Sequence, residues 1–162
     1  MQHVQTRSTT SALVLTAVLI ALATLFTMYT KIPVPGIRGY FNVGDVVIMT
    51  SALLLGRKYG AYIGAIGPAL ADLFLGYAVF VPITFVVKGI EGYLVGTVYN
   101  HKTTTSALVA TILGGIIIVA GYFIAEYFVF DPGVAIASIL TNAIQAVMSV
   151  IISMILYAIL RR

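Results

Sequence analysis

Six apolar stretches fill almost all of this chain, and the ionisable residues caught inside them are few enough to name. With 60% of 162 residues hydrophobic, 9% charged and a mean hydropathy of +1.08, the chain cannot supply the polar surface a water-soluble domain needs. The runs must therefore face lipid or one another. They fall at approximately 11–30, 42–56, 59–77, 80–99, 104–126 and 132–160. Most approach the ~20 residues that cross ~30 Å of hydrocarbon; the second is short and the sixth long. None alternates apolar and polar residues as barrel strands do. The expected fold is all-α: an integral membrane bundle of six transmembrane helices, with residues 1–162 forming a single membrane domain.

Charge orients the bundle. If the spans alternate, Arg7, Arg57, Lys58, Lys102, Arg161 and Arg162 lie on one side, against Lys31 and Arg38 on the other. That bias predicts cytoplasmic termini at both ends. Although the net charge is +4, the basic residues are scattered over loop ends, which argues against a nucleic-acid partner. Arg7 and Ala21-Leu22-Ala23 loosely mimic a signal peptide, but Phe26 and Met28 carry the apolar run onward, so an uncleaved helix is expected.

A charge in hydrocarbon costs at least a few kcal/mol, so each intramembrane ionisable residue is a functional candidate. Asn42 and Asp45 are placed near the outer end of span two, three residues apart on one helix face. Asp45 also suits a helix cap. Asp72 falls about a turn below the outer surface. Lys88 and Glu91 share a face near mid-membrane, where Lys88 can neutralise Glu91 or reach Asp72. Glu126 lies in the outer part of span five, and Asn142 and Gln145 are amides in an apolar helix that need partners. With Tyr40, Tyr77 and Tyr122 these residues can line a polar, aromatic pocket open to the outside, suited to a small, flat, hydrogen-bonding molecule. Internal pairing that fixes helix packing is the competing role for the charges.

Other features concern packing. Gly60-x-x-x-Gly64 and Gly92-x-x-x-Gly96 signal close helix approach, and Pro68 should kink span three. Ala17 and Ala21 put two small side chains on one face of span one. Residues 31–40, with two prolines and two glycines, read as an irregular segment, either a lid or a connector.

Enzymatic chemistry finds little support. There is no cysteine, and His3 and His101 lie away from the carboxylates, so no metal centre or other cofactor is expected. Neither a G-x-S-x-G elbow nor a G-x-x-x-x-G-K-[ST] loop occurs. Any ATP-driven step needs another subunit.

In order and spacing, Phe41-Asn-Val-Gly-Asp45, Leu53-Leu-Leu-Gly56, Gly67-Pro-Ala-Leu-Ala-Asp72, Gly76-Tyr77, Pro82 and Lys88-Gly-Ile-Glu-Gly92 resemble the S components of energy-coupling factor vitamin transporters. The nearest resemblance is to the riboflavin-type family that includes the hydroxymethylpyrimidine/pyridoxine branch. It covers roughly residues 11–160, with 41–92 the specific part. It implies a subunit that captures a vitamin or precursor from outside and docks on a membrane scaffold protein with two cytoplasmic ATPases, in a prokaryotic cell membrane. It also implies that Ala17 and Ala21 are the scaffold-docking pair and that 31–40 is the gating loop. Riboflavin transporters tend to carry Ser-Asp where this chain has Gly44-Asp45, which favours a smaller pyrimidine or pyridine, such as hydroxymethylpyrimidine or a vitamin B6 form. A different class remains open beside it: an ion-coupled carrier or channel using Asp72, Lys88 and Glu91 as a relay. A lipid-modifying membrane enzyme is a third and weaker reading.

Overall fold

The computed structural model describes residues 9–33, 38–99 and 103–161. Helix α1 (Thr9–Tyr29) is followed by strands β1 (Ile32–Pro33) and β2 (Tyr40–Phe41). Helices α2 (Asp45–Leu55), α3 (Arg57–Phe74), α4 (Phe80–Val98), α5 (Thr104–Val129) and α6 (Pro132–Leu160) complete the chain. Four helices, α1 from Thr10 onward, α4, α5 and α6, are long and apolar enough to cross a membrane. Of the others, α2 is only about 17 Å long, and α3 carries Arg57, Lys58 and Asp72 among its 18 residues.

The short helix is the hub. Every residue of α2 from Asp45 to Leu53 is buried, as befits a helix with neighbours on all sides. It touches the other five helices. Its lower half packs Met49, Ala52 and Leu53 against Val95, Ala107, Ala110, Ile118, Ala146 and Tyr157 from α4, α5 and α6. A single residue, Gly56, turns the chain into α3 at φ +90°, a conformation that favours glycine.

Glycines bring α3 and α4 together. A Cβ on Gly60 would meet the Gly92 carbonyl oxygen and the Ala52 Cβ, both at 2.6 Å; one on Gly64 would meet the Lys88 carbonyl carbon at 2.9 Å. This is the backbone contact that small residues permit. Similarly, Gly67 lies under Ala23 of α1, and the Thr24 hydroxyl donates across to the Gly67 carbonyl at 2.9 Å. Ala17 and Ala21 are exposed on the opposite side of α1.

Two helices start on side-chain caps. Thr103 accepts from Ser106 N at 3.1 Å, and Asp131 accepts from Val134 N at 3.0 Å, with Pro132 in the first turn of α6. The segment expected to be irregular contains a two-residue antiparallel pair, Ile32 opposite Phe41 and Pro33 opposite Tyr40. Residues 34–37 of the expected gating loop, like Arg7, His3, His101, Lys102 and Arg162, lie outside the described residues.

Candidate functional site

Side chains from α1, α3, α4, α5 and α6 converge with β2 on a polar cavity. Of the sequence candidates, Tyr40, Asn42, Asp72, Lys88, Tyr122, Glu126, Asn142 and Gln145 line it. Asp45, Tyr77 and Glu91, expected in the same lining, stand behind it instead. The free space within is about 30 Å³, room for a water molecule or two. A larger cleft of about 600 Å³ runs between α5 and α6, but Ile112, Ile116, Phe123, Ile139, Val147 and Ile151 offer a ligand no hydrogen bonds. The polar cavity is therefore the candidate binding site.

Its floor is a buried charge cluster. Lys88 Nζ donates to Asp45 Oδ1 at 2.5 Å and lies 3.6 Å from Glu91 Oε2. All three residues are at most 1% exposed. The ammonium also sits 5.4 Å from the Tyr122 ring centre, within cation–π range. Of the two partners open to Lys88 in the sequence, Glu91 is the nearer in the structure; no salt bridge to Asp72 is formed, and Asp72 bonds to Tyr40. Asp45 is not a cap, because Gly44 occupies the N-cap position and the carboxylate turns inward. Nor do Asn42 and Asp45 share a helix face, since Asn42 precedes α2.

Gln145 joins the floor to the roof. Its Nε2 donates to Asp45 Oδ2 at 2.7 Å, and its Oε1 accepts from Asn42 N at 3.0 Å and from Asn42 Nδ2 at 3.4 Å. Asn42 Oδ1 in turn accepts from Gly44 N at 2.9 Å. One hydrogen-bonded chain thus runs from the end of β2 through α6 to α2 and α4. This is how the buried amide of Gln145 is satisfied in an apolar helix.

The roof is aromatic. Tyr40 donates its hydroxyl to Asp72 Oδ1 at 2.6 Å, and its ring lies 4.9 Å from that of Tyr77. Burial, then the charge and hydrogen bond of Asp72, push the Tyr40 phenol above the ordinary tyrosine range. It therefore stays a protonated donor. Lys31 lies 5.1 Å over Tyr77, while Phe80 packs against Tyr77 and Phe130. On the far wall Glu126 accepts from the Ser138 hydroxyl, and Thr84 and Tyr122 share a hydrogen bond of 3.0 Å.

Sequence reasoning missed Thr27, Gly39, Pro68, Phe80, Thr84 and Ser138 in the lining. Apolar and hydroxyl residues are ordinary in membrane helices, so nothing local marks these. The one available signal was periodicity: Thr84 precedes Lys88 by four residues and so shares its helix face.

Among the described residues, no group of three His, Cys, Asp or Glu side chains is placed to hold a metal ion. The cavity presents carboxylates, amides, hydroxyls and aromatic rings around one neutralised ammonium. The fold and site define a helical membrane protein with a small polar cavity lined by residues of five helices and β2.

The sequence profile of the ECF-type riboflavin transporter S component matches residues 7–162. A Pyrococcus woesei protein, described as an uncharacterized protein in a gap 3′ region, is 42% identical over 80% of this chain and 87% of its own length. The thiamine precursor transporter HmpT of Lactococcus lactis subsp. cremoris (strain MG1363) is 29% identical over 91% of this chain and 83% of its own. The crystal structure of the S component for biotin from an ECF-type ABC transporter superposes with a TM-score of 0.59. It covers 90% of this chain and 92% of that one at 20% identity, and so shows a shared fold. The chain belongs to the ECF-type riboflavin transporter S-component family.

Proposed function

We propose that this protein is the substrate-specificity subunit of an ECF transporter for a small vitamin precursor, with hydroxymethylpyrimidine or a vitamin B6 form favoured over riboflavin. The cavity carries the reading: eight of the polar residues named from sequence converge on one space. The similarity to a thiamine precursor transporter over 91% of the chain points the same way. Asp72, Glu126, Asn142 and Gln145 supply acceptors and amide donors, while Tyr40, Phe80 and Tyr122 cover the ring faces. Asp45, Glu91 and Tyr77 act one layer back, positioning Lys88 and Tyr40.

Entry requires a wall to move, because a pyrimidine exceeds the space now free. The movable wall is Tyr40, held on a two-residue strand and released when its bond to Asp72 breaks. All six helices then belong to one membrane domain in the prokaryotic plasma membrane, with α2 and α3 sheltered by their neighbours and both termini cytoplasmic. The exposed Ala17 and Ala21 form the docking face for the scaffold subunit, which carries the protein with its two ATPases. The subunit itself catalyses nothing. Calorimetry on the purified chain tests the site: one heterocycle binds without ATP, and Glu126→Ala and Asn142→Ala each weaken it about tenfold. Unchanged affinity in both variants removes the assignment. Substrate-dependent proton flux in liposomes holding this chain alone would instead establish the ion-coupled carrier.

A further inference from the structure

Two buried polar atoms of cavity-lining residues have no hydrogen-bond partner among the described residues. One is the hydroxyl of Thr27, the other is Asp72 Oδ2. Both residues line the cavity, Thr27 from α1 and Asp72 from α3, and they are 1% and 3% exposed. Leaving such atoms unpaired costs about 1–3 kcal/mol each, which a ligand that pairs with them recovers.

Thr27 departs from its neighbours. Thr16 and Thr24 donate to the carbonyls four residues back, Ala12 at 2.7 Å and Ile20 at 2.9 Å; Thr30 does the same to Phe26 at 2.6 Å. That back-bond is the usual resting place for a threonine hydroxyl in an apolar helix. Thr27 does not make it. Its hydroxyl is instead turned against Gly44, where a Cβ would overlap it, so the absence of a side chain at 44 lets it stay there. Gly44 itself has φ −59°, which any residue adopts. Its need for glycine is steric, and the space it leaves is the space the hydroxyl occupies.

Asp72 is similarly half-used. Oδ1 accepts from Tyr40. Thr84, which shares a hydrogen bond with Tyr122, lies beside Asp72, but no described group makes a hydrogen bond of normal geometry to Oδ2. A free carboxylate oxygen accepts only, whereas a free threonine hydroxyl both donates and accepts. Together they complement a ligand edge carrying an N–H donor beside a ring nitrogen acceptor. An amino-substituted azine has that edge; a ring bearing only hydroxyl and hydroxymethyl groups does not.

Resting on the vitamin-precursor reading above, we infer that Thr27 and Asp72 form an amino-group subsite, which selects a 4-aminopyrimidine over an unaminated pyridine or pyrimidine. The N–H donates to Asp72 Oδ2, and the Thr27 hydroxyl donates to the adjacent ring nitrogen. Thr27 is then a ligand-contacting residue, and Gly44 positions it.

The test is calorimetric titration of the purified full chain with three probes: 4-amino-5-hydroxymethyl-2-methylpyrimidine, the same compound with hydrogen in place of the amino group, and pyridoxine. The amino compound should bind at least about tenfold more tightly than either other probe, the loss expected when a charged acceptor is left unpaired. In Asp72→Asn and in Thr27→Val that preference should shrink to about threefold or less, with melting temperatures checked to show that both variants fold. Equal affinity for the amino and deamino compounds overturns the subsite, because water then serves both atoms, yet leaves the vitamin reading standing. Tighter binding of pyridoxine does the same. Binding of none of the three overturns the subsite and this choice of substrate together. Retention of the full preference in both variants overturns the assignment to these residues.

Discussion

Gly64→Ala should weaken both the bundle and its site. The new methyl would lie 2.9 Å from the Lys88 carbonyl carbon and 3.1 Å from Ile48 Cγ2, with the Lys88 oxygen nearer still. Carbon atoms settle at about 3.5–4.0 Å, so α4 must retreat by roughly half to one ångström. The obstacle is backbone rather than a flexible side chain, which places the cost at the top of the ~1–3 kcal/mol typical of overpacking. Alanine returns ~1 kcal/mol through its better helix propensity. The net loss is about 2 kcal/mol, or roughly 4–8 °C in melting temperature for a chain of this size. Because Lys88 rides on the displaced turn, ligand affinity should fall about tenfold. Gly89→Ala is the control. Its methyl meets the Ala65 Cβ at 3.2 Å and otherwise makes ordinary contacts at 3.8 Å with the Ala61 oxygen and Ala65 Cα, so overpacking and propensity nearly cancel. Thermal unfolding in detergent and calorimetry on the same samples read both quantities. Equal behaviour of the two variants would show that the backbone contact of Gly64 with Lys88 is not what fixes the cavity floor.

Asp45→Ala strips Lys88 of its 2.5 Å partner and should cost about 3–5 kcal/mol in unfolding free energy, the usual penalty for orphaning a buried charge; Asp45→Ala combined with Lys88→Met should recover much of it. Tyr40→Phe keeps the stacking on Tyr77 and loses the Asp72 bond, so ligand release in stopped-flow should quicken several-fold. Because the Tyr40 phenol is raised, its proton is kept above pH 10 in the folded protein and lost there in the unfolded chain; its contribution to stability is full below about pH 10 and fades above it. The alkaline absorbance titrations of wild type and Tyr40→Phe should therefore coincide up to pH 11. Ala17→Leu should leave ligand binding intact, since the side chain is exposed, and abolish co-purification with the scaffold subunit.

The helices were legible because their cause is local. Apolar runs set their extent, Asp131-Pro132 starts α6, and glycines four apart mark the α3–α4 crossing. Polar candidates were also legible, since an acid or amide in an apolar run stands out. Their pairing was not. Asp45 meets Lys88 across 43 residues and Gln145 across 100, and no spacing rule reaches that far. Sequence neighbours misled instead: Asn42 and Asp45 suit one helix face only if α2 begins before Gly44, and it begins after. Thr27 was invisible for a different reason. In sequence it matches Thr16 and Thr24, and only the missing back-bond separates it from them.

The chain of bonds from Asn42 through Gln145 and Asp45 to Lys88 also bears on how this protein can change its cargo over time. Replacing one member strands an amide or a charge in the core, so a lineage stepping through single substitutions passes through weakened ancestors. Positions 42, 45, 88 and 145 are therefore expected to mutate as a block, while Asn142, which lies outside that chain of bonds, drifts alone and retunes the guest.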